Sequence, residues 1–354
     1  MSGKSMQMAN HLNRREFMRV GVGAGLAAAF GAPALGQQAR PTVRFGITAD
    51  CHILGRDGDR AALGKFVEEM KRWKPDFVFD LGDFACQAGS GQTTPAMHDS
   101  QLEGLRRSWA LLAESPCPAY IAMGNHCVGW IKGGNEKITP DDLYAKPHGG
   151  EDITKDEFLA VTKMPRRYYS FDVKGYHFIV LDPNNSGHAL LKEAGRTEDE
   201  IKAVLGHDGV VGAYYLDEPQ RKWLAEDLAA NREKTKIVFS HEELHFTGAA
   251  GGEGGDIPFP QYPKFTSYCG NGWQARELFK ADGKVLACFA GHKHQNRWTV
   301  HGGTNFITLK ATHAQGSYAK VTISDMLQID GHSQQRSYKI PLSGIVAEVT
   351  RTAE

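Results

Sequence analysis

From Thr42 onward the chain alternates short apolar runs with amphipathic stretches, and two periods separate along it. "TVRFGITAD" (42–50), "PDFVFDLGD" (75–83), "PAYIAMGN" (118–125), "TKIVFS" (235–240) and "KVLACFA" (284–290) read as strands, with Pro75 marking the entry to the second. Between them, "GDRAALGKFVEEMKRW" places Leu63, Phe66, Val67 and Met70 at helical spacing, and "LEGLRRSWALLAES" predicts a second helix. "DEPQRKWLAEDLAAN" predicts a third, with an acidic first turn and Pro219 near its start. "YYSFDVKGYHFIVLDPN" reads as a hairpin turning at Lys174-Gly175, and "WTVHGGTNFITLK" and "SYAKVTISDMLQIDG" as terminal hairpins. This alternation belongs to an α/β or layered α–β fold. About 127–165, 183–216 and 246–272 lack strong periodicity, and loops of that length in one domain usually carry function or are disordered. The run "TGAAGGEGGD" (247–256) is glycine-rich enough for a movable flap, and no linker divides the chain into two domains.

The first forty residues follow a different pattern. Arg14-Arg15 precede Phe17, the short run "VGVGAGLAAAFGAPAL" follows, and small residues around Ala32–Gly36 offer cleavage positions. The run is too short for a comfortable membrane span, which takes about 20 apolar residues. The order resembles a twin-arginine export signal. Residues 1–38 are therefore expected to be removed, leaving 39–354 as one domain in the periplasm or medium with no stable membrane span. That route carries folded proteins, so a weakly held metal can be loaded before export.

Composition narrows the chemistry. The 354 residues carry 41 Lys+Arg against 41 Asp+Glu, so no global field draws the protein to nucleic acid or anionic lipid, and no nucleic-acid polymer is expected as partner. Histidine is enriched at 15, which favours metal chemistry and also multiplies accidental histidine motifs. The six cysteines (51, 86, 117, 127, 269 and 288) form no C-x-x-C pair; each reads by default as a buried small hydrophobe, and the spacing gives no disulfide connectivity. Oligomeric state does not follow from the sequence.

"HEELH" (241–245) matches the zinc-protease motif, in which two histidines one helical turn apart hold the ion. The flanks oppose that reading. "TKIVF" before it is strand-like, the glycine-rich run after it cannot sustain a helix, and the third ligand position of the extended motif is Gly251. His245 then reads as a surface histidine, with a place in the lining of the site as the alternative.

The ends of the strands are more informative. The first run delivers Asp50 and His52, the second Asp83, the third Asn125 and His126; "KIVFSH" delivers His241 and "CFAGHKH" His292 and His294. Ligands of α/β sheets bind at the carboxyl ends of strands, so adjacent strands would converge these groups. The residue types suit two divalent ions about 3.5–4 Å apart, joined by a bridging carboxylate. If strand geometry continues, Asp50 and His52 share a face, as do His292 and His294.

These motifs resemble the calcineurin-like metallophosphoesterases, whose ordered signature runs D-x-H, G-D, G-N-H-D/E, a strand-ending histidine and G-H-x-H. The chain shows Asp50-Cys51-His52, Gly82-Asp83, Gly124-Asn125-His126-Cys127, His241 and Gly291-His292-Lys293-His294, so the resemblance covers roughly 43–310. It implies a layered α/β/β/α sandwich of two mixed sheets flanked by helices, with metals at the carboxyl ends of the strands. It also implies two divalent ions (Mn, Fe or Zn, a mixed pair included). Asp50, His52 and His294 would hold one ion and Asn125, His241 and His292 the other, with Asp83 bridging. His126 would contact the phosphate and protonate the leaving group. Cys127 stands where the family carries Asp or Glu, which removes a negative charge from beside His126 and bears on the pH dependence of that protonation. Cys86 stands where the purple acid phosphatases carry an iron-binding tyrosine, so a tyrosinate–iron site is not expected.

The resemblance thus implies hydrolysis of a small-molecule phosphoester by water activated between the ions. "NGWQARELFKADGKVLACFAGHKH" and "HGGTNFITLKATH" look like manganese-dependent ADP-ribose/CDP-alcohol diphosphatases, which carry glutamine in place of His52; in outline the chain also resembles cyclic-nucleotide phosphodiesterases. A phosphodiester or pyrophosphate of nucleotide-like size is the expected substrate. A phosphomonoester is the alternative, and a zinc protease or a non-catalytic metal-binding protein follows behind. Arg166, Arg167, Trp130, Tyr262 and Trp273 are candidate substrate contacts that packing or solvent exposure explains equally well.

Overall fold

Two six-stranded mixed sheets face one another across a single apolar layer. The computed structural model describes residues 41–53, 60–84, 95–128, 153–184, 195, 197, 214–245, 269–313 and 315–342. Residues 1–38, read above as an export signal, Cys86, Trp130, Tyr262 and the glycine-rich run 247–256 lie outside these residues. Arg40–Glu354 forms one compact unit.

The elements are β1 (Val43–Thr48), α1 (Ala61–Trp73), β2 (Phe77–Asp80), α2 (Pro95–Leu112), β3 (Ala119–Ile121), α3 (Lys155–Thr162), β4 (Tyr169–Val173), β5 (Tyr176–Val180), α4 (Glu218–Ala230), β6 (Lys236–Phe239), α5 (Gly272–Asp282), β7 (Val285–Ala290), β8 (Arg297–His301), β9 (Thr304–Thr308), β10 (Tyr318–Ile323), β11 (Met326–His332) and β12 (Tyr338–Pro341). One sheet runs β12-β11-β10-β1-β2-β3 and the other β4-β5-β6-β7-β9-β8. β1, β2 and β3 pair parallel, as do β5, β6, β7 and β9, and the hairpins close the edges antiparallel.

The strand period of two assigns each residue to a layer. Phe45, Phe77, Phe79, Phe178, Ile237, Phe239, Ala287 and Phe289 point inward and form the layer between the sheets. Phe79 stacks on Phe239 with ring centroids 3.9 Å apart, so the two sheets touch through aromatic rings. The alternate residues turn outward. Val78 and Ile121 meet Leu63, Phe66, Val67 and Met70 of α1, Leu102 and Leu105 of α2 and Phe158 of α3. Ile179, Val238 and Cys288 meet Leu224 and Leu228 of α4 and Ala275 and Phe279 of α5. The central strands are buried on both faces, which is why they read as continuous apolar runs.

The predicted elements lie where their patterns put them. The hairpin after β4 pairs Val173 with Tyr176 across Lys174 (φ 49°) and Gly175 (φ 83°), the left-handed pair that a two-residue turn requires. Helix α3 falls inside a stretch the apolar pattern leaves unassigned. Its signal is local: the Thr154 side chain accepts from the Glu157 N–H, and Glu157 reaches back to the Thr154 N–H. Among the described residues no helix is long and apolar enough to cross a membrane. The described cysteines (51, 117, 127, 269 and 288) are free thiols.

Candidate metal centre

Each of the eight candidate site residues sits in a turn just past a strand. Asp50 and His52 follow β1, Asp83 follows β2, Asn125 and His126 follow β3, His241 follows β6, and His292 and His294 follow β7. β1 and β2 are neighbours in one sheet, β6 and β7 in the other, so their exits meet at one end of the sandwich. The expectation that extended geometry aligns Asp50 with His52, and His292 with His294, is corrected. All four are left-handed, with φ of 53°, 45°, 65° and 54°, and Asp83 joins them at 52°. A non-glycine residue in that region costs on the order of 1–3 kcal/mol. The backbone turns at every step, and that turning brings the side chains together.

The polar atoms converge closely. His52 Nε2 lies 3.2 Å from His294 Nε2, and His294 Nε2 lies 3.2 Å from Asp50 Oδ1. His241 Nε2 lies 3.1 Å from Asp83 Oδ2 and 3.1 Å from Asn125 Oδ1, which in turn is 2.7 Å from His292 Nδ1. His52 Nε2 is 3.9 Å from Asp83 Oδ2, so Asp83 sits between the two groups. Asp50–His52–Asp83 and Asp83–His241–His292 each place one donor atom per residue within 4.8 Å of the others.

These separations fit cations. Two donors about 2.0–2.2 Å from one ion stand about 2.8–3.6 Å apart for angles between octahedral and tetrahedral. The two carboxylates are buried, Asp50 at 0% and Asp83 at 1% exposure, and the ion-pair contacts of both are to histidines. Burial would raise the Asp83 carboxyl, but His241, with His126 and His52 behind it, holds it well below the usual carboxylate range. Burial lowers His52 to about 4 and His292 to about 3, so both imidazoles are neutral near pH 7 and offer lone pairs. Burial works against the His241 proton, yet Asp83 raises that group well above the imidazole range, the same charge demand a cation would meet. Its ring is also oriented: Nδ1 donates to the Leu81 carbonyl at 3.0 Å, leaving Nε2 for the site, as metal-binding histidines commonly do.

The glycines of the motifs have steric roles. A Cβ on Gly124 would collide with the Asp83 backbone nitrogen and Oδ1, and one on Gly82 (φ 106°) would come within 2.9 Å of His241 Nδ1. Gly124→Ala is therefore expected to displace Asp83 and weaken metal retention about 10–100-fold, the size of loss that supporting groups produce. Equilibrium dialysis with Mn²⁺ or Zn²⁺ checks this. Wild-type retention in a folded variant would deny the steric link.

His126 lies at the edge of this group, its N–H donating to Asp83 Oδ1 at 2.6 Å and its ring centroid 5.2 Å from that of His52. Cys127 is fully buried in the cluster with Phe84, Leu102 and Met123 beneath the helices. A carboxylate there would be buried with them, so cysteine suits this packing.

Two other expectations change. Residues 241–245 form no helix: His241 faces Asp83, while His245 is buried, stacked on His301 at 4.7 Å and packed on Phe306, and not on the surface. Strand β6 ends directly before the pentapeptide, which is why helical spacing does not apply. Arg167 pairs with the buried Asp182 and with Asp217, and Arg166 stacks over Tyr168 and Trp223, so both are engaged in packing; Trp273 is exposed at 40%. One residue that no strand-end motif marks joins the group: His313, after β9, lies within 4.8 Å, donor to donor, of His52 and His294. Its sequence signals are that "ITLKATH" is another apolar run ending in histidine and that it closes the stretch "HGGTNFITLKATH" noted above.

Known proteins resemble this chain in fold and in sequence profile. A dimetal phosphatase of Danio rerio shares the fold with a TM-score of 0.56 at 17% identity, over 86% of this chain and all of that one. GAP50, the anchor in the inner membrane complex of Plasmodium, aligns with a TM-score of 0.45 at 13% identity over 86% of this chain and 90% of its own. No curated protein matches by sequence. The sequence profile of the calcineurin-like phosphoesterases matches residues 43–296, which spans every candidate residue from Asp50 to His294, and the chain belongs to that family of phosphoric ester hydrolases.

Proposed function

We propose that the chain is a dimetal phosphodiesterase or pyrophosphate hydrolase acting on a small, nucleotide-like substrate. The observation that carries the reading is the meeting of Asp50, His52, Asp83, Asn125, His241, His292 and His294 at one sandwich end, with His126 beside Asp83. Asp50, His52 and His294 would hold one divalent ion, Asn125, His241 and His292 the other, and Asp83 would lie between them. When bound, such ions supply an activated water and neutralise phosphoryl charge. Asp50 and Asp83 fix the negative charge of the site, and the left-handed turns hold the donors in place before substrate arrives. His126 is the proton carrier: an imidazole N–H donates to the ester oxygen as the bond to phosphorus breaks. Its backbone N–H on Asp83 Oδ1 ties that ring to the centre. The arrangement Arg14-Arg15, short apolar run and small residues supports export by the twin-arginine route.

The test is hydrolysis of bis-p-nitrophenyl phosphate beside p-nitrophenyl phosphate by the Mn²⁺-reconstituted, signal-free protein. Diester cleavage is expected to dominate. His126→Ala should keep two ions per chain and lose about 10²–10⁴-fold in turnover, the usual worth of a proton donor. A metal-free His126→Ala protein would overturn its role. Preference for the monoester would favour the second reading, a phosphomonoesterase, which accords with the description of the Danio rerio protein as a phosphatase.

A further inference from the structure

We infer that His313 is an additional protein ligand of the ion held by Asp50, His52 and His294, which makes that position richer in imidazole than its neighbour. The inference rests on the dimetal reading above and concerns a residue outside the ordered signature D-x-H, G-D, G-N-H, His, G-H-x-H.

Three observations carry it. First, His52, His294 and His313 form a triangle of imidazoles: ring centroids are 5.2 Å (His52–His294), 5.0 Å (His52–His313) and 4.9 Å (His294–His313) apart, all edge-to-face, with one donor atom from each within 4.8 Å of the others. Three imidazoles gathered this closely offer a set of nitrogen donors suited to one cation.

Second, the His313 ring is held as the His241 ring is held. His313 Nδ1 lies 3.0 Å from the backbone carbonyl of Asp50, as His241 Nδ1 lies 3.0 Å from that of Leu81. A carbonyl accepts only, so Nδ1 carries the proton and Nε2 keeps the lone pair. Fixing the tautomer through a backbone carbonyl is a regular companion of metal ligation.

Third, the backbone under His313 is laced to the turn that carries Asp50. The Thr312 N–H donates to the Ala49 carbonyl at 2.7 Å, the His313 N–H to the Asp50 carbonyl at 3.2 Å, and the Ala49 N–H to Thr312 Oγ1 at 3.3 Å. His313 is exposed at the mouth of the site, yet its position relative to Asp50 is set by these bonds.

The chemical consequence is asymmetry. Asp50, His52, His294 and His313 with Asp83 give one ion three imidazoles; Asn125, His241 and His292 with Asp83 give the other two. Imidazole favours zinc and iron over manganese more than carboxylate or amide oxygen does. The nitrogen-rich position should therefore discriminate more strongly between metals.

The deciding experiment titrates metal-stripped, signal-free protein with Zn²⁺ against a chromophoric chelator, and records the visible absorption of Co²⁺ bound to the same samples. Wild type, His313→Ala and His313→Gln are compared. Wild type should take two ions. His313→Ala should keep one affinity and lose about 10–100-fold or more in the other, with an altered Co²⁺ spectrum. Glutamine retains an amide group for the Asp50 carbonyl but offers the ion at most an amide oxygen in place of an imidazole nitrogen, so His313→Gln should fall short of wild-type affinity and share the change in the Co²⁺ spectrum. Two wild-type affinities in His313→Ala, or their full recovery in His313→Gln, would overturn the assignment. A wild-type chain that takes up no ion would instead overturn the dimetal reading on which it rests.

Discussion

Asp83→Asn is expected to strip both ions and lower hydrolysis at least about 10³-fold, since the loss of one well-placed charge-stabilising group alone costs about 10²–10³. Asparagine keeps the shape of the side chain and the Oδ1 acceptor for the His126 N–H, so the local fold has no reason to change. What it removes is a negative charge that His241 meets at 3.1 Å and His52 at 3.9 Å, one from each group of donors. Two cations cannot approach one another without an anion between them. Metal per chain by elemental analysis and turnover on bis-p-nitrophenyl phosphate report the two losses separately. Two retained ions with turnover within tenfold of wild type would remove Asp83 from the bridging position.

Asp182→Ala is expected to lower folding stability by about 3–5 kcal/mol, the range for removing one partner of a buried ion pair. Asp182 is completely buried; Lys155, exposed at 7%, reaches it at 2.7 Å, and Arg167 at 3.2 Å. Without Asp182 the ammonium of Lys155 would remain buried, still donating to the Asn184 carbonyl at 2.7 Å but deprived of the carboxylate it touches. A domain is stable by only about 5–15 kcal/mol, so the loss should be plain in urea unfolding. A change under about 1 kcal/mol would show that the site repacks. Burial tends to raise the Asp182 carboxyl, but Lys155 and Arg167 together hold it below its ordinary value. Its contribution to stability is then complete above the unfolded value of about 3.9 and disappears as pH falls through the lower folded one. The network also supports the site, because Asn184 Nδ2 donates to the Met123 carbonyl at 2.8 Å, directly before Gly124-Asn125.

How much of this was legible in the sequence differs by element. Helix α1 could be placed because Leu63, Phe66, Val67 and Met70 repeat at helical spacing and all four are buried. The hairpin turn at Lys174-Gly175 could be placed because glycine tolerates the left-handed backbone there. Helix α3 was less visible, since its stability draws on a capping box and a few buried side chains rather than on a long apolar face. His245 was misplaced because the sequence gives no hint that His301 and Phe306 cover it.

By itself the sequence determined the family and seven candidate donors together with His126, because those residues stand in fixed short motifs at strand ends. The tertiary structure decided how they meet. Asp50, His52, Asp83, His292 and His294 adopt left-handed backbone that no alternation of apolar and polar residues encodes, and contacts between distant segments hold it. Among these contacts, the His292 N–H donates to the Asp50 carboxylate at 3.0 Å, and the Asp50 N–H to the Gly82 carbonyl at 3.0 Å. His313 is the clearest case. Its motif is a bare histidine after a strand, and only the pairing of β7 with β9 and the bonds from Thr312 to Ala49 bring it beside His52 and His294. Local sequence specifies what a residue can do chemically; sheet order and long-range hydrogen bonds specify which residues do it together.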